Sequence, residues 1–508
     1  MPVTYLSPGV YVEEIDKGTK PIEAVGTSTA AFIGITAEAS RKKVDPMGNK
    51  VPVESVLGKA TLVTSWTQFV DIFGDFTPGA YLPDAVYGYF ANGGGPCYVT
   101  CLRTLEEGSP APAASVAIPS TGKGDSFKVT AKAPGPSALS VTIKTAEDGT
   151  FTLMAGSESK AGLVIKKGEP TFVGDATFEA ITISNVGAAA PKDGTYPLAG
   201  SGIQPLAAED FIGDAAKRTG IAGLEALDQV RLLACPDVMA GYDGSDAAKE
   251  RVKVVQTAMI EHCEKRMKYR FAILDTPPGL NAQQAAEWKN FLNFDTSYAA
   301  LYYPWIRVAD FSGSGSPTKL MPPSGHMAGI YNRSDAERGV HKAPANEVAL
   351  GVIDLETQLS RGEQDVLNPL GVNCIRAFPG RGIRVWGGRT LSSNGAWRYV
   401  NVRRLFIMVE ASMDVGLQWV VFEPNDSTLW AKVIRDVTSF LRVVWRSGAL
   451  FGATPEQAFY VKCDEELNPL EVRDLGQLII EVGLAPTKPA EFVVFRISQW
   501  AGPNAQAA

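Results

Sequence analysis

Apolar and polar positions along the chain follow two periods, and each change of period predicts a change of element. Residues 25–36, VGTSTAAFIGIT, form a short apolar run that predicts a buried strand. Residues 82–91 read as a short helix ended by Asn92 and three glycines, and PCYVTCLR at 96–103 returns as a strand. The three glycines fit a left-handed cap and turn better than an anion cradle. From 206 to 303 the period lengthens: VRLLAC (230–235), RFAILD (270–275) and SYAALYY (297–303) read as strands, and 246–267 and 281–294 as helices between them. Such a βαβαβ order requires a parallel sheet, with the ends of its strands as the usual ligand site. Residues 308–346, with SGSGSP and PPSG, are expected to be a polar surface loop.

Near the C-terminus, residues 427–447 place Leu429, Trp430, Val433, Ile434, Val437, Phe440, Leu441, Val444 and Trp445 on one broad helical face. Lys432, Arg435, Ser439, Arg442 and Arg446 fall on the opposite side within an arc of about 80° at 100° per residue, with only Asp436 near the edge. AFYVKCD (458–464) reads as a strand, and EFVVFRIS (491–498) as the last one. Its Phe492 and Val494 point one way and Val493, Phe495 and Ile497 the other, so both faces require burial and the strand is expected to insert between others. At the opposite terminus Val10, Tyr11 and Val12 form a short strand in residues 1–20, either an edge of its own sheet or a strand lent to another subunit.

Composition narrows the classes. With 508 residues the length predicts about three domains. Lys plus Arg number 48 and Asp plus Glu 55, a net charge of −7, which argues against non-specific binding to nucleic acid or an anionic membrane. Six cysteines without CxxC or Cys/His spacing imply reduced thiols and no metal site. The N-terminus has no basic leader followed by an apolar core, and no run is long enough to span a bilayer, so cytoplasmic synthesis is expected. Residues 105–205 differ from the rest: Thr/Val/Ile alternation, many glycines, and lysine as the only basic residue. Hydrated ammonium groups suit a solvated surface, and the segment reads as an inserted β-rich outer domain.

The opposite composition marks residues 368–425. Arginines stand at 376, 381, 384, 389, 398, 403 and 404, and no lysine occurs between Lys342 and Lys432. Guanidinium groups tolerate burial against carboxylates and carbonyls, which predicts fixed ion pairs, inside or between subunits, at Arg376, Arg384, Arg389, Arg403 and Arg404. Gly380, Gly382, Gly387, Gly388 and Arg389 do not fit a phosphate loop, because Ile383 occupies a required glycine position and Arg389 the lysine position. An enzyme reading would use Asp237, Asp275, His262, Ser324 or His326. No nucleophile elbow or base arrangement supports it, and strand-end aspartates are commonly helix caps. No catalytic, cofactor or metal residue is assigned.

LNPLGVN, GRGIRVWGGRT, WRYVNVRRLF and WVVFEPND together closely resemble the core of contractile tail sheath proteins of bacteriophages and phage-like injection systems. SPGVYVEE (7–14), FANGGGPCYV (90–99), ACPDV (234–238), YYPWI (302–306), KAPANE (342–347), GALFG (448–452) and APTKPAEFVVFRI (485–497) fit in order, and only about 105–205 lies outside the resemblance. The resemblance implies an α/β and α+β multidomain fold: an N-terminal arm (1–20), an α/β domain (21–104 and 206–345), the insertion, a tube-facing domain (346–484) and a C-terminal arm (485–508). It also implies stacked hexameric rings contracting around a rigid tube without a cofactor, with arms paired to neighbouring copies. The partners implied are the chain itself, an inner tube protein, and baseplate and tail terminator proteins, with no nucleic acid and no membrane insertion. Lys432, Arg435, Arg442 and Arg446 are then expected to face acidic groups on the tube. An α/β enzyme with an unrecognised site and a non-contractile lattice protein are the alternatives.

Overall fold

All seven residues of β1, Ala30–Thr36, are buried, as an apolar run covered on both faces must be. The computed structural model describes residues 22–46, 48–105, 113–122, 124–132, 139–146, 148–156, 158–198, 205–312 and 316–496. Around β1 are β2 (Thr61–Val63), β3 (Cys97–Thr104), β4 (Leu232–Ala234), β5 (Phe271–Asp275), β6 (Ala299–Tyr303), β7 (Val372–Phe378) and β8 (Gly382–Val385). They form one eight-stranded sheet in the order β8-β7-β6-β5-β4-β1-β3-β2. The six inner strands run parallel, and β2 and β8 close the edges antiparallel.

Alternation along β1 feeds two cores. Ala31, Ile33 and Ile35 join one apolar cluster with residues of α3 (Asp246–Glu261) and α4 (Ala282–Leu292). Ala30 and Phe32 join the other with α1 (Trp66–Phe73), α2 (Leu82–Ala91) and α5 (Ser324–Arg338). The predicted helix 246–267 is regular only to Glu261. It then widens into a π-turn over His262–Met267 and ends on Lys268 at φ 60°.

Helix α5 corrects the expectation of a surface loop over 308–346. Its residues Ser324–Tyr331 are buried, and strands Ile306–Ala309 and Thr318–Met321 precede it. The helix packs by absence of side chain: a Cβ at Gly325 would lie 2.4 Å from the Ala85 Cα, and one at Gly329 2.4 Å from the Tyr89 carbonyl oxygen. The glycines that read as loop signals are what let α5 approach α2.

Residues 105–205 are β-rich, as expected. Strands Ser115–Pro119, Asp125–Ala131 and Ile181–Ser184 make one sheet, and Ser140–Thr145, Phe151–Ala155, Glu158–Leu163 and Gly194–Pro197 another. Their inward residues, among them Ile118, Phe127, Val129, Val141, Ile143 and Leu153, share one core. Both ends of the insertion reach the first core of the main sheet: Leu105 packs against it and Leu206 is buried in it.

The expected domain break at 346 is not where the chain divides. Two compact units emerge: residues 26–407 with 488–508, and residues 1–25 with 408–487. The physical reason is β7, which pairs in parallel with β6 and so draws the arginine-rich segment into the main sheet. The division falls within helix α6, Val400–Gly416. In the smaller unit, α7 (Ser427–Arg446) accompanies a two-stranded antiparallel sheet of β9 (Phe459–Lys462) and β10 (Glu481–Leu484). Residues 22–25 belong to this unit too: the Val25 N–H donates to Ser412 Oγ at 3.0 Å, and Gly416 leaves room for Ile22.

Candidate functional site

Helix α7 begins at Asp426, whose carboxylate accepts the Leu429 N–H at 2.9 Å as an N-cap. Leu429, Trp430, Val433, Val437, Phe440, Leu441 and Val444 are buried, and Lys432, Arg435, Ser439, Arg442 and Arg446 are exposed, so the two faces fall as the period requires. Ile434 and Trp445 are only partly buried. Asp436 lies inside the buried face, 7% exposed, and takes the Arg435 guanidinium at 3.1 Å. Arg435, Ser439, Arg442 and Arg446 line an open groove along the helix with Ala431, Ile434, Thr438 and Val443. This is a cationic strip with an apolar margin.

The five scaffold arginines divide. Arg404 is buried and pairs with both oxygens of Asp335, at 2.9 and 2.5 Å, while its Nη2 also donates to the Thr27 carbonyl at 3.0 Å. Arg389 pairs with Glu491 at 2.7 Å. Arg403 stacks 3.7 Å from the Trp397 ring centre and 4.6 Å from that of Tyr298. Arg376 donates to the Gln364 amide oxygen at 2.9 Å, and Arg384 to the Arg381 and Asn346 carbonyls at 2.9 and 2.7 Å. Within the chain, then, amide and main-chain oxygens rather than carboxylates supply the acceptors at Arg376 and Arg384.

The arm residues differ in visibility. Val10, Tyr11, Val12 and Ile497 lie outside the described residues. Phe492, Val493, Val494 and Phe495 are 71%, 70%, 77% and 82% exposed, and within this one chain they occupy no strand. The C-terminal arm also begins later than residue 485. The Phe451 N–H donates to the Ala485 carbonyl at 2.7 Å, Ala485 donates to Ala458 at 2.9 Å and Thr487 to Ala449 at 3.0 Å, which ties these residues into the smaller unit.

The residues of the enzyme alternative are structural. Asp237 accepts the N–H groups of Ile35 (2.6 Å), Tyr81 (2.5 Å) and Leu82 (3.3 Å), joining β1 to the start of α2. Burial pushes its carboxyl up to about 7 against the pull of those donors. Asp275 accepts the Ser324 N–H at 2.9 Å at the start of α5 and is likewise pushed up to about 7 by burial. His262 and His326 are buried, and desolvation lowers them to about 3 and about 4, so both are neutral. All six cysteines are buried free thiols. Among the described residues no cluster has metal-binding character and no helix is long and apolar enough to cross a membrane.

Sequence reasoning missed Glu491, Asp335 and Asn373. Asn373 is fully buried on β7, and its amide takes the Arg389 N–H and gives a hydrogen to the Arg389 carbonyl, both at 2.7 Å. A signal for Glu491 existed: it is the only acid among residues 485–508 and stands directly before an apolar run.

Two family models match in tandem, the phage tail sheath protein central domain over residues 216–391 and the phage tail sheath C-terminal domain over 392–499. The chain belongs to the contractile tail sheath family. The tail sheath protein of Burkholderia phage BcepMu is 26% identical over 97% of this chain and 97% of its own length. A putative prophage major tail sheath protein of Pseudomonas aeruginosa strain UCBPP-PA14 is 28% identical over 56% of this chain and 71% of its own. Among solved structures, the helical sheath of the anti-feeding prophage in its contracted state shares the fold at a TM-score of 0.59. It is 24% identical and covers 98% of this chain and all of its own (100%). A structural role within a sheath follows for this chain, and the fold reading of mixed α/β units stands.

Proposed function

We propose that this sheath protein polymerises as stacked hexameric rings around a rigid inner tube and contracts to drive that tube through a target envelope. Its partners in this reading are further copies of itself, the tube protein, and baseplate and terminator proteins. The observation that carries the self-assembly is the run Phe492–Phe495: four consecutive large apolar side chains, all mostly exposed, directly after an ordered residue. A soluble surface does not retain such a run without a partner. Its alternating faces match a strand added to the sheet of a neighbouring copy. The two-stranded sheet β9-β10 is a suitable acceptor, because two strands alone are marginal.

The cationic strip on α7 supports the tube contact. Exposed charges form individually weak pairs, which can hold a tube and still release it. Contraction is then a collective rearrangement of subunits whose interfaces have two stable arrangements. Truncation after Glu491 tests the assembly. The shortened chain is expected to fold and stay soluble but form no tubes under negative-stain microscopy, and normal tubes would remove the arm from the account.

A further inference from the structure

Glu491 is held more completely than any role in local folding requires. Its Oε1 accepts from Arg389 Nε at 2.8 Å and from Asn368 Nδ2 at 2.8 Å, and its Oε2 accepts from Arg389 Nη2 at 2.7 Å and from the Tyr399 hydroxyl at 2.9 Å. The remaining Arg389 nitrogen, Nη1, donates to the Asn368 carbonyl at 3.1 Å. Two parallel bonds between guanidinium and carboxylate fix direction as well as position. The side chains of Arg389 and Glu491 are only 10% and 19% exposed, so solvent screens the pair little.

The clamp is mounted on the main sheet. Asn373 of β7 grips the Arg389 main chain from both sides, and its amide also reaches the Leu301 carbonyl of β6 at 3.3 Å. A Cβ at Gly387 would come within 2.8 Å of Asn373, so the loop carrying Arg389 is seated directly against the strand. By contrast, among the described residues 488–496 no backbone hydrogen bond is formed, and the four residues after Glu491 are mostly exposed. One side chain moors an otherwise unattached segment.

We propose that Glu491 is the mooring of the C-terminal arm: Arg389, Asn368 and Tyr399 fix where and in which direction Phe492–Phe495 leave the subunit, so that a second copy of the chain can pull on the arm without peeling it away. This rests on the reading that the arm pairs with a neighbour. Glu491 and Arg389 act as positioning residues, and the apolar run makes the contact. Burial alone would raise the Glu491 carboxyl, but the bonds from Arg389, Asn368 and Tyr399 outweigh it and keep the group below its ordinary range, hence ionised.

The test uses the full chain with Phe495→Cys carrying a fluorophore. The six natural cysteines are buried, so the label takes one site. In unassembled subunits Glu491→Gln and Arg389→Gln are expected to lower label anisotropy clearly while the thermal midpoint of the body stays unchanged. Without the label, each is expected to reduce sedimentable sheath at least tenfold, and the exchange Arg389→Glu with Glu491→Arg to restore part of it. If truncation after Glu491 abolishes sheath while both Gln variants keep wild-type anisotropy and yield, the mooring is wrong and the arm reading stands. If the truncated chain still forms sheath, the arm reading fails and the mooring with it. Should the Gln variants not fold, Tyr399→Phe removes one hydroxyl bond and is expected to loosen the label by a smaller amount; unchanged anisotropy there would overturn the proposal.

Discussion

The larger unit of this sheath protein buries several ionisable groups among its own elements, whereas the smaller unit, like the Phe492–Phe495 run of the larger one, carries large apolar side chains on its surface. Around the eight-stranded sheet, Asp237, Asp275 and Arg404 are buried, and each has hydrogen-bond partners on a separate element. In residues 408–487, Val415, Val421, Phe422, Val443, Phe451, Leu470 and Leu475 are exposed, Phe422 fully and with φ at 69°. A phenylalanine held in the left-handed region is costly and persists where its surroundings demand it. The difference lies in the polar groups: in the larger unit Asp237, Asp275 and Arg404 join separate elements from within, and exposed apolar side chains are what the smaller unit offers at its surface.

The sharpest way to break that contrast is Asp237→Ala. It leaves the N–H groups of Ile35, Tyr81 and Leu82 buried without their acceptor, at about 1–3 kcal/mol for each donor left unsatisfied. Urea unfolding of the purified subunit is expected to show a loss of more than about 3 kcal/mol or no folded protein at all. A loss below about 1 kcal/mol would mean that the carboxylate does not organise the start of α2.

A gentler change sharpens the same point through pH. The Asp275 carboxyl is raised in the folded state from 3.8 to about 7. Between those values the folded chain holds a proton that the unfolded chain has released, so this group's contribution is full below about pH 4 and is lost as pH rises through about 7. Asp275→Asn keeps an acceptor for Ser324 and removes the titration. Its thermal midpoint is expected to fall less than the wild-type midpoint between about pH 4 and pH 7, and parallel curves would contradict the raised value.

The smallest effect on stability belongs to the cationic strip. Arg442→Glu with Arg446→Glu changes exposed groups, leaving the Arg435–Asp436 pair in place, and is expected to alter unfolding free energy by no more than about 0.5 kcal/mol per site. Assembly on tubes should nonetheless weaken, and wild-type assembly should weaken as salt rises. Normal assembly of the double variant at low and moderate salt would sink the tube contact.

Legibility in the sequence followed the physics of each element. Strands β1, β3, β4, β5 and β6 were readable because burial on both faces writes a continuous apolar run. Helix α7 was readable because one face is apolar and the other charged. Helix α5 was not, since it is buried through Gly325, Gly329 and Ser334 and carries no apolar stripe. Helix α6 was masked by Arg403 and Arg404, which are 6% and 3% exposed. Glu491 meets Arg389 across 102 positions, and no local period records a pairing of that kind.

The two ends of the β-rich insertion, at Leu105 and Leu206, both meet the first core of the main sheet, while the residues between them pack on a core of their own. Doubling the length of such a loop adds only about 0.6 kcal/mol of closure entropy. Replacing residues 105–205 by a short Gly/Ser linker is therefore expected to leave the eight-stranded sheet folded, and loss of folded subunit would show that the main sheet depends on the insertion.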